Sequence, residues 1–295
     1  MMGMPVKSGT PRLGDDISAP GVFTASVTGI ILLSMGIITL TTDFGTGSPY
    51  VAAMKGVIFS INPSVTIVDI THEIPAQDVR QAALVLEDAA EYFPPETIHV
   101  AVVDPGVGTQ RAIVYARIGS QQYLAPDNGL LSRLVARTPP EKIFRITESQ
   151  YWLEKVSSTF HGRDILAPVA ARLSLGLAPE QLGPSLEKII VLDWPRVRIS
   201  PSRIDGAVLE IDSFGNIITN ITAEMLAGRP TDKRACIACN IYETWGIYHT
   251  YAEQPQGTLC AVIGSNGRLE LAIVGDNAAA RLGLNVGMPG VIAWE

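Results

Sequence analysis

The stretch VDPGVGTQR, residues 103–111, decides how this chain is read. An apolar run over residues 98–103, broken only by His99, stops at Asp104, and Pro105, Gly106 and Gly108 follow. A central strand accommodates neither proline nor repeated glycine, whereas a tight turn uses both. The run is therefore expected to be a buried strand, with Asp104 at its carboxyl end. Open α/β sheets bind ligands beyond the carboxyl ends of their strands, so a carboxylate there, followed by a glycine-rich turn and Arg111, marks a candidate site. The same residues also suit a turn-capping Asp that pairs with an Arg.

Upstream, residues 37–41 form another nearly continuous apolar run, as a strand buried on both faces requires, and TTDFG places Asp43 at its end. Residues 50–60 read as a helix closed by Asn62-Pro63, and residues 65–70 as a short β-branched strand. Val79, Ala82, Ala83, Leu86 and Ala90 mark one face of a helix over 78–92. Strand, helix, strand, helix, strand is the pattern of a mainly parallel sheet covered by helices. Downstream, 112–117, 123–125 and 142–146 continue the sheet, with helices at 130–136 and 165–175. Ser157–Thr159 suit a helix N-cap, where the positive end of the dipole keeps His161 neutral.

Residues 184–201, with Trp194-Pro195 and Ser200-Pro201, read as a linker. Beyond it, 204–211, 217–221, 234–241, 259–263, 268–273 and 291–294 are short strand-like runs between glycine-rich turns. The expectation is an α/β domain over 36–195 and a smaller all-β barrel over 202–295. Residues 1–35 read as a disordered leader or an upstream extension, with Met35 a candidate start. Residues 17–42 carry no charge, yet Ser34, Gly36 and Thr39 interrupt their most apolar part, and no membrane span is expected.

A net charge of −7 argues against nucleic acid as a partner, because phosphate binding needs clustered Lys and Arg. Three cysteines, at 236, 239 and 260, cannot all pair within one chain, which points to a reducing, cytoplasmic setting. A single CxxC without a second pair is a weak zinc or redox signal, and small apolar strand residues fit it better. The four histidines are too far apart for a local metal cluster, so no metal is expected. His99 and His72 read as structural. The candidates at strand ends and helix starts are Asp43, Asp104, Arg111, Asp127, Asn128 and His161. IDSFGN (211–216) and IGSNG (263–267) add polar turns to the second half.

Taken together, LTTDFGTGSPYVAAMKG, INPSVTIVDITHEIPAQDVRQAA, HVAVVDPGVGT, YLAPDNGLL, SSTFHGRDI and IDSFGNIITNI resemble the S-adenosylmethionine hydroxide adenosyltransferases. These are adenosine-forming S-adenosylmethionine hydrolases related to fluorinating and chlorinating enzymes. The resemblance implies a trimer whose substrate lies between the α/β domain of one subunit and the barrel of its neighbour. It implies an Asp104–Arg111–His161 triad that prepares water, with no cofactor. Asp43 would hold the ribose hydroxyls, Asp212 the methionine ammonium, Phe214 and Asn216 the adenine, and Ser265 the methionine carboxylate. The halogenating relatives carry a halide-binding Ser where this chain has Gly162, a Trp at Gln77 and an Arg at Asn266; they also have an insertion before the segment matching YLAPDNG. These departures favour water over halide. The alternatives are a halide-dependent 5′-halogenase and a non-catalytic protein that binds S-adenosylmethionine or adenosine.

Overall fold

The computed structural model describes residues 36–294, and the reading of 1–35 as a leader or extension lies outside them. The first sheet contains β1 (Ile37–Thr42), β2 (Thr66–Thr71), β3 (Ile98–Val102), β4 (Ile113–Ile118), β5 (Gln121–Pro126) and β6 (Pro140–Arg145). Their order is β2-β1-β3-β5-β4-β6. β2, β1, β3 and β5 are parallel, but β4 runs antiparallel to both β5 and β6, so the sheet is mixed. The cause is local: only Gly119 and Ser120 separate β4 from β5, with Gly119 at φ +56°, and so short a connection joins antiparallel neighbours.

Both faces of this sheet are covered. α1 (Tyr50–Ile61) and α4 (Ala167–Leu173) pack Met54, Ile58, Val169 and Ala170 against Ile38, Leu40, Val100 and Val102. On the other face, α2 (Val79–Ala90) and α3 (Ser132–Arg137) pack Ala82, Leu86 and Leu134 against Ala101, Val103 and Val114. Successive residues from β3 onward thus enter opposite cores, which is why the run around it is apolar without alternation. His99 belongs to this packing. It bonds Thr39 Oγ1 through Nδ1 at 2.8 Å and stacks on Tyr123, and burial depresses its pKa to about 4. The helix expected from residue 165 begins earlier, as a π-helical turn over Gly162–Leu166 that runs into α4.

The second sheet has nine strands: β7 (Arg198–Ile199), β8 (Arg203–Ile211), β9 (Ile217–Thr222), β10 (Ala235–Cys239), β11 (Tyr242–Trp245), β12 (Ile247–Tyr248), β13 (Leu259–Ile263), β14 (Arg268–Ile273) and β15 (Pro289–Trp294). In the order β11-β10-β15-β8-β9-β14-β13-β12, with β7 beside β8, they curl into a nearly closed barrel around Ile204, Val208, Ile217, Leu271 and Ile292. Cys236 and Cys239 are residues of β10, and Cys239 and Cys260 are buried. One short helix, α5 (Ala278–Leu282), is capped by Asn277, whose side chain accepts from Ala280 N. Among the described residues no helix is long and apolar enough to cross a membrane.

A charged contact ties the outer face of the barrel to α2. Arg268, only 7% exposed, donates to Asp88 Oδ1 at 2.8 Å and to Glu87 Oε2 at 2.7 Å, and Glu87 also accepts from Arg133 at 2.8 Å. Asn266 adds a bond to Asp88. Two carboxylates this close tolerate burial because cations face them, and removing one cation leaves uncompensated charge. Arg268→Ala is expected to lower stability by about 3–5 kcal/mol. Chemical unfolding checks this as a lower midpoint at an unchanged slope.

Candidate active site

The order β2-β1-β3 places a topological switch between β1 and β3, where the chain leaves β1 to one side and returns to the other. Crevices open at such points beyond the strand ends. Asp43 follows β1 by one residue and Asp104 follows β3 by two, so both carboxylates border that crevice. A register shift between Leu40 and Thr41 in the β1–β2 pairing bends the strand end just before Asp43.

Asp104 and Arg111 meet at two points. Arg111 Nε donates to Asp104 Oδ1 at 2.8 Å and one terminal nitrogen donates to Oδ2; the side chains are 10% and 7% exposed respectively. That terminal nitrogen also contacts His161 Nδ1 at 3.0 Å. A guanidinium has no lone pair to offer, so it donates and Nδ1 accepts. The proton of the neutral ring then lies on Nε2. Burial, and next the charge of Arg111, hold the His161 pKa below its ordinary value.

The backbone around the triad leaves little freedom. Gly108 has φ +78°, and a Cβ there would lie 2.4 Å from the Ser158 carbonyl oxygen, so the turn after β3 packs directly on the loop that carries His161. That loop is pinned by fully buried Asp164, which accepts from Ser157 N at 2.8 Å and from Arg163 Nε at 2.6 Å. Asn128 Nδ2 donates to the Val103 carbonyl at 2.8 Å, and Asp127 accepts from Ile190 N. These two sequence candidates brace the strand end and do not line the crevice.

A cavity of about 350 Å³ opens beside Asp43, Asp104 and His161, with Arg111 behind them. Phe44, Tyr50 and Phe160 form its aromatic wall, with ring centroids 5.2–5.7 Å apart in edge-on contacts, and Gln77 also lines it. The aromatic wall was not anticipated from sequence; its only signal is that Phe44 follows Asp43 and Phe160 precedes His161. Gln77 donates its backbone N–H to Asp43 Oδ2 at 2.9 Å. His72, read as structural, links α1 to this site. Lys55 donates to Asp69 at 2.5 Å, Asp69 faces His72 Nε2 at 3.0 Å, His72 Nδ1 bonds Thr42 Oγ1 at 2.9 Å, and Thr42 Oγ1 accepts from Phe44 N at 3.3 Å.

The remaining sequence candidates lie on the barrel. Asp212, Phe214, Asn216 and Ser265 line a groove of about 930 Å³ on the outer face of β14, away from the first cavity. Asp212 is partly committed to its own turn, accepting from Phe214 N, Asn216 N and Asn216 Nδ2 at 2.8–2.9 Å. Phe214 is 77% exposed, and Ser265 is exposed as well. Glu270 and Tyr251, which the sequence reading passed over, also line the groove. Among the described residues no group of three His, Cys, Asp or Glu converges as a metal site would require.

Residues 38–183 match the model of the SAM hydroxide adenosyltransferase N-terminal domain, and residues 206–290 that of its C-terminal domain. The (R)-S-adenosyl-L-methionine hydrolase of Thermus thermophilus is 37% identical over 84% of this chain and 95% of its own length. The protein of the same name from Salinispora tropica is 36% identical over 85% and 95%. A fluorinase from an Actinoplanes species is more distant, at 28% over 80% and 90%. The crystal structure of an uncharacterized conserved protein from Thermotoga maritima superposes with a TM-score of 0.83 at 35% identity, covering 87% of this chain and 99% of the other. The chain belongs to the S-adenosylmethionine hydroxide adenosyltransferase family.

Proposed function

We propose that this enzyme hydrolyses S-adenosyl-L-methionine by in-line attack of water on ribose C5′, giving adenosine and L-methionine. The observation that carries the reading is the fork from Asp104 through Arg111 to His161 beside a small, aromatic-walled cavity. A protein that only bound the nucleoside has no use for a buried cation aimed at an imidazole. The leaving group is a neutral thioether departing from a sulfonium, so the reaction asks for no general acid, metal or cofactor. It asks for a water that is desolvated, aligned and relieved of a proton.

With Nδ1 engaged by Arg111, His161 offers the water an N–H from Nε2 and fixes its oxygen. The proton goes to Asp104. As the C–O bond forms the attacking water becomes an oxonium, which is acidic enough that even a carboxylate held by Arg111 accepts its proton. Position, rather than basicity, is then what the triad supplies. Asp43 holds the ribose hydroxyls, Asp212 the ammonium and Ser265 the carboxylate, while Phe214 stacks on adenine. Asn216 uses its Nδ2 on Asp212, leaving Oδ1 to accept from the adenine amino group.

Asp43, Asp104 and His161 line one cavity, and Asp212, Phe214, Asn216 and Ser265 line another that shares no residue with it, which supports a homotrimer with each site completed across a subunit boundary. A halide-dependent reaction fits less well. A Cβ at Gly162 would come within 3.2 Å of Val102 Cγ1 and 3.3 Å of Met54 Sδ, so the halide-binding Ser of the halogenating relatives has no room without a shift.

Incubation with S-adenosylmethionine in oxygen-18 water tests the reading. Adenosine labelled at its 5′ oxygen, unchanged by chloride or fluoride, is expected; bound but unaltered substrate would point to a sensor. The relatives' name specifies the (R) form, and the L descriptor already fixes Cα, so both sulfonium epimers belong in the assay. Asp104→Asn is expected to lower kcat about 10²–10⁴-fold with little change in KM, read by steady-state kinetics. Because the His161 pKa is lowered, the imidazole stays neutral through pH 7, and kcat/KM should fall only as pH drops below about 6.5, the ordinary value. That acid limb should vanish in His161→Asn. Finally, inactive His161→Ala and Asp212→Ala proteins, mixed and allowed to exchange subunits, should recover a fraction of wild-type turnover, whereas a site within one subunit gives no recovery.

A further inference from the structure

Glu270 lies at the middle of β14 on the outer face of the barrel, yet it is only 5% exposed. Tyr251 O–H donates to its Oε1 at 2.6 Å, and among the described residues none donates to Oε2. Burial pushes the carboxyl up, the Tyr251 bond opposes this, and the negative charge of Asp212 adds to the rise. A cation in the groove would relieve both the desolvation and the repulsion.

Asp212 already accepts three hydrogen bonds from its own turn, so Glu270 is the carboxylate with more unused acceptor capacity. Of the described residues that line the groove, none is Lys or Arg, and Asp276 is paired with Arg281. Asn266, which stands where halogenating relatives carry Arg, donates its amide to Asp88 and accepts from Arg268 N. Arg268 itself is turned to Glu87 and Asp88. Within the groove a substrate carboxylate therefore meets the Ser265 hydroxyl and no Lys or Arg, whereas a substrate ammonium meets two carboxylates.

We propose that Glu270 joins Asp212 in accepting the substrate's ammonium, as the carboxylate with more free acceptor capacity, and that the groove selects adenosyl sulfonium compounds by the cationic amine more than by the carboxylate held at Ser265. The inference rests on the reaction proposed above. It adds a specificity residue and widens the substrate class to sulfonium nucleosides whose side chain ends in an amine with no carboxylate.

Three compounds test it with the intact protein: S-adenosylmethionine, its decarboxylated analogue, which keeps the amine, and its deaminated analogue, which keeps the carboxylate. Steady-state kinetics should place the decarboxylated compound within about 10-fold of S-adenosylmethionine in kcat/KM and the deaminated one about 100-fold lower. Glu270→Gln preserves shape and the Tyr251 bond. It should raise KM for the two amine compounds about 10- to 100-fold at similar kcat, and leave the deaminated compound unchanged. Equal use of the decarboxylated and deaminated compounds, or a Glu270→Gln loss common to all three, overturns the proposal. If that variant does not fold, the wild-type ranking alone decides. Calorimetric binding of the same three compounds separates the two readings: no adenosine from any of them defeats the hydrolase reading, while the order of affinities still judges the role of Glu270.

Discussion

Arg111 is fixed from one side by a carboxylate and from the other by an imidazole, and the chemistry at the crevice depends on that arrangement. A guanidinium cannot exchange donor for acceptor, so its position dictates the tautomer of His161 and with it what the ring presents to a water. A lysine would not do this. Its single ammonium lacks the planar fork that contacts both Asp104 oxygens and the imidazole together. The burial of Asp104 and Arg111 keeps the pair out of competition with bulk water, while the burial of His161 itself, and next the charge of Arg111, lower the His161 pKa.

The fork in turn depends on how the sheet is covered. Helices on both faces force β3 to be apolar on both sides, and the first residues past the strand are where polarity returns. Asp104 appears there, across the switch point from Asp43. The turn carrying Arg111 closes only because Gly108 permits contact with the Ser158 carbonyl, and the other side of that contact is the His161 loop. One glycine thus joins two segments about fifty residues apart.

This logic explains what could be read from the residues in order and what could not. Continuous apolar runs, a β-branched stretch and helical patterns located β1 to β3, α1 and α2, and strand-end polarity located Asp43 and Asp104. The direction of β4 was hidden, because apolar periodicity is the same for parallel and antiparallel strands and only the shortness of the Gly119-Ser120 connection reveals it. Asp127 and Asn128 carried the same local signal as the site residues but serve the backbone, a distinction made only by where Val103 and Ile190 lie. β11 and β12 escaped notice because Gly246, at φ +85°, breaks a short run into two. Glu270 occupies the polar position between Leu269 and Leu271 of β14 and carries no local signal that sets it apart. It is buried and bonded by Tyr251, nineteen residues upstream, a contact that no local pattern encodes.

Separating the chemistry from the grip on the substrate has a physical consequence. The triad asks for a small, dry cavity with fixed donors, whereas the groove is larger and lined by Asp212, Glu270 and Asp276. A sulfonium substrate is a cation at its reacting centre and carries a second cation on its tail. Negative charge placed near the tail attracts the substrate without lying beside the nucleophile, where a further carboxylate would stabilise the sulfonium ground state and slow its reaction. In the proposed reaction, carboxylates on the barrel and aromatic side chains at the crevice divide these tasks: the aromatic wall offers the sulfonium a weak attraction, and the groove offers the stronger Coulombic hold. Binding energy gathered at the tail is then available for aligning the sulfonium with the water, because it is paid equally in ground and transition states while the alignment it enforces is not.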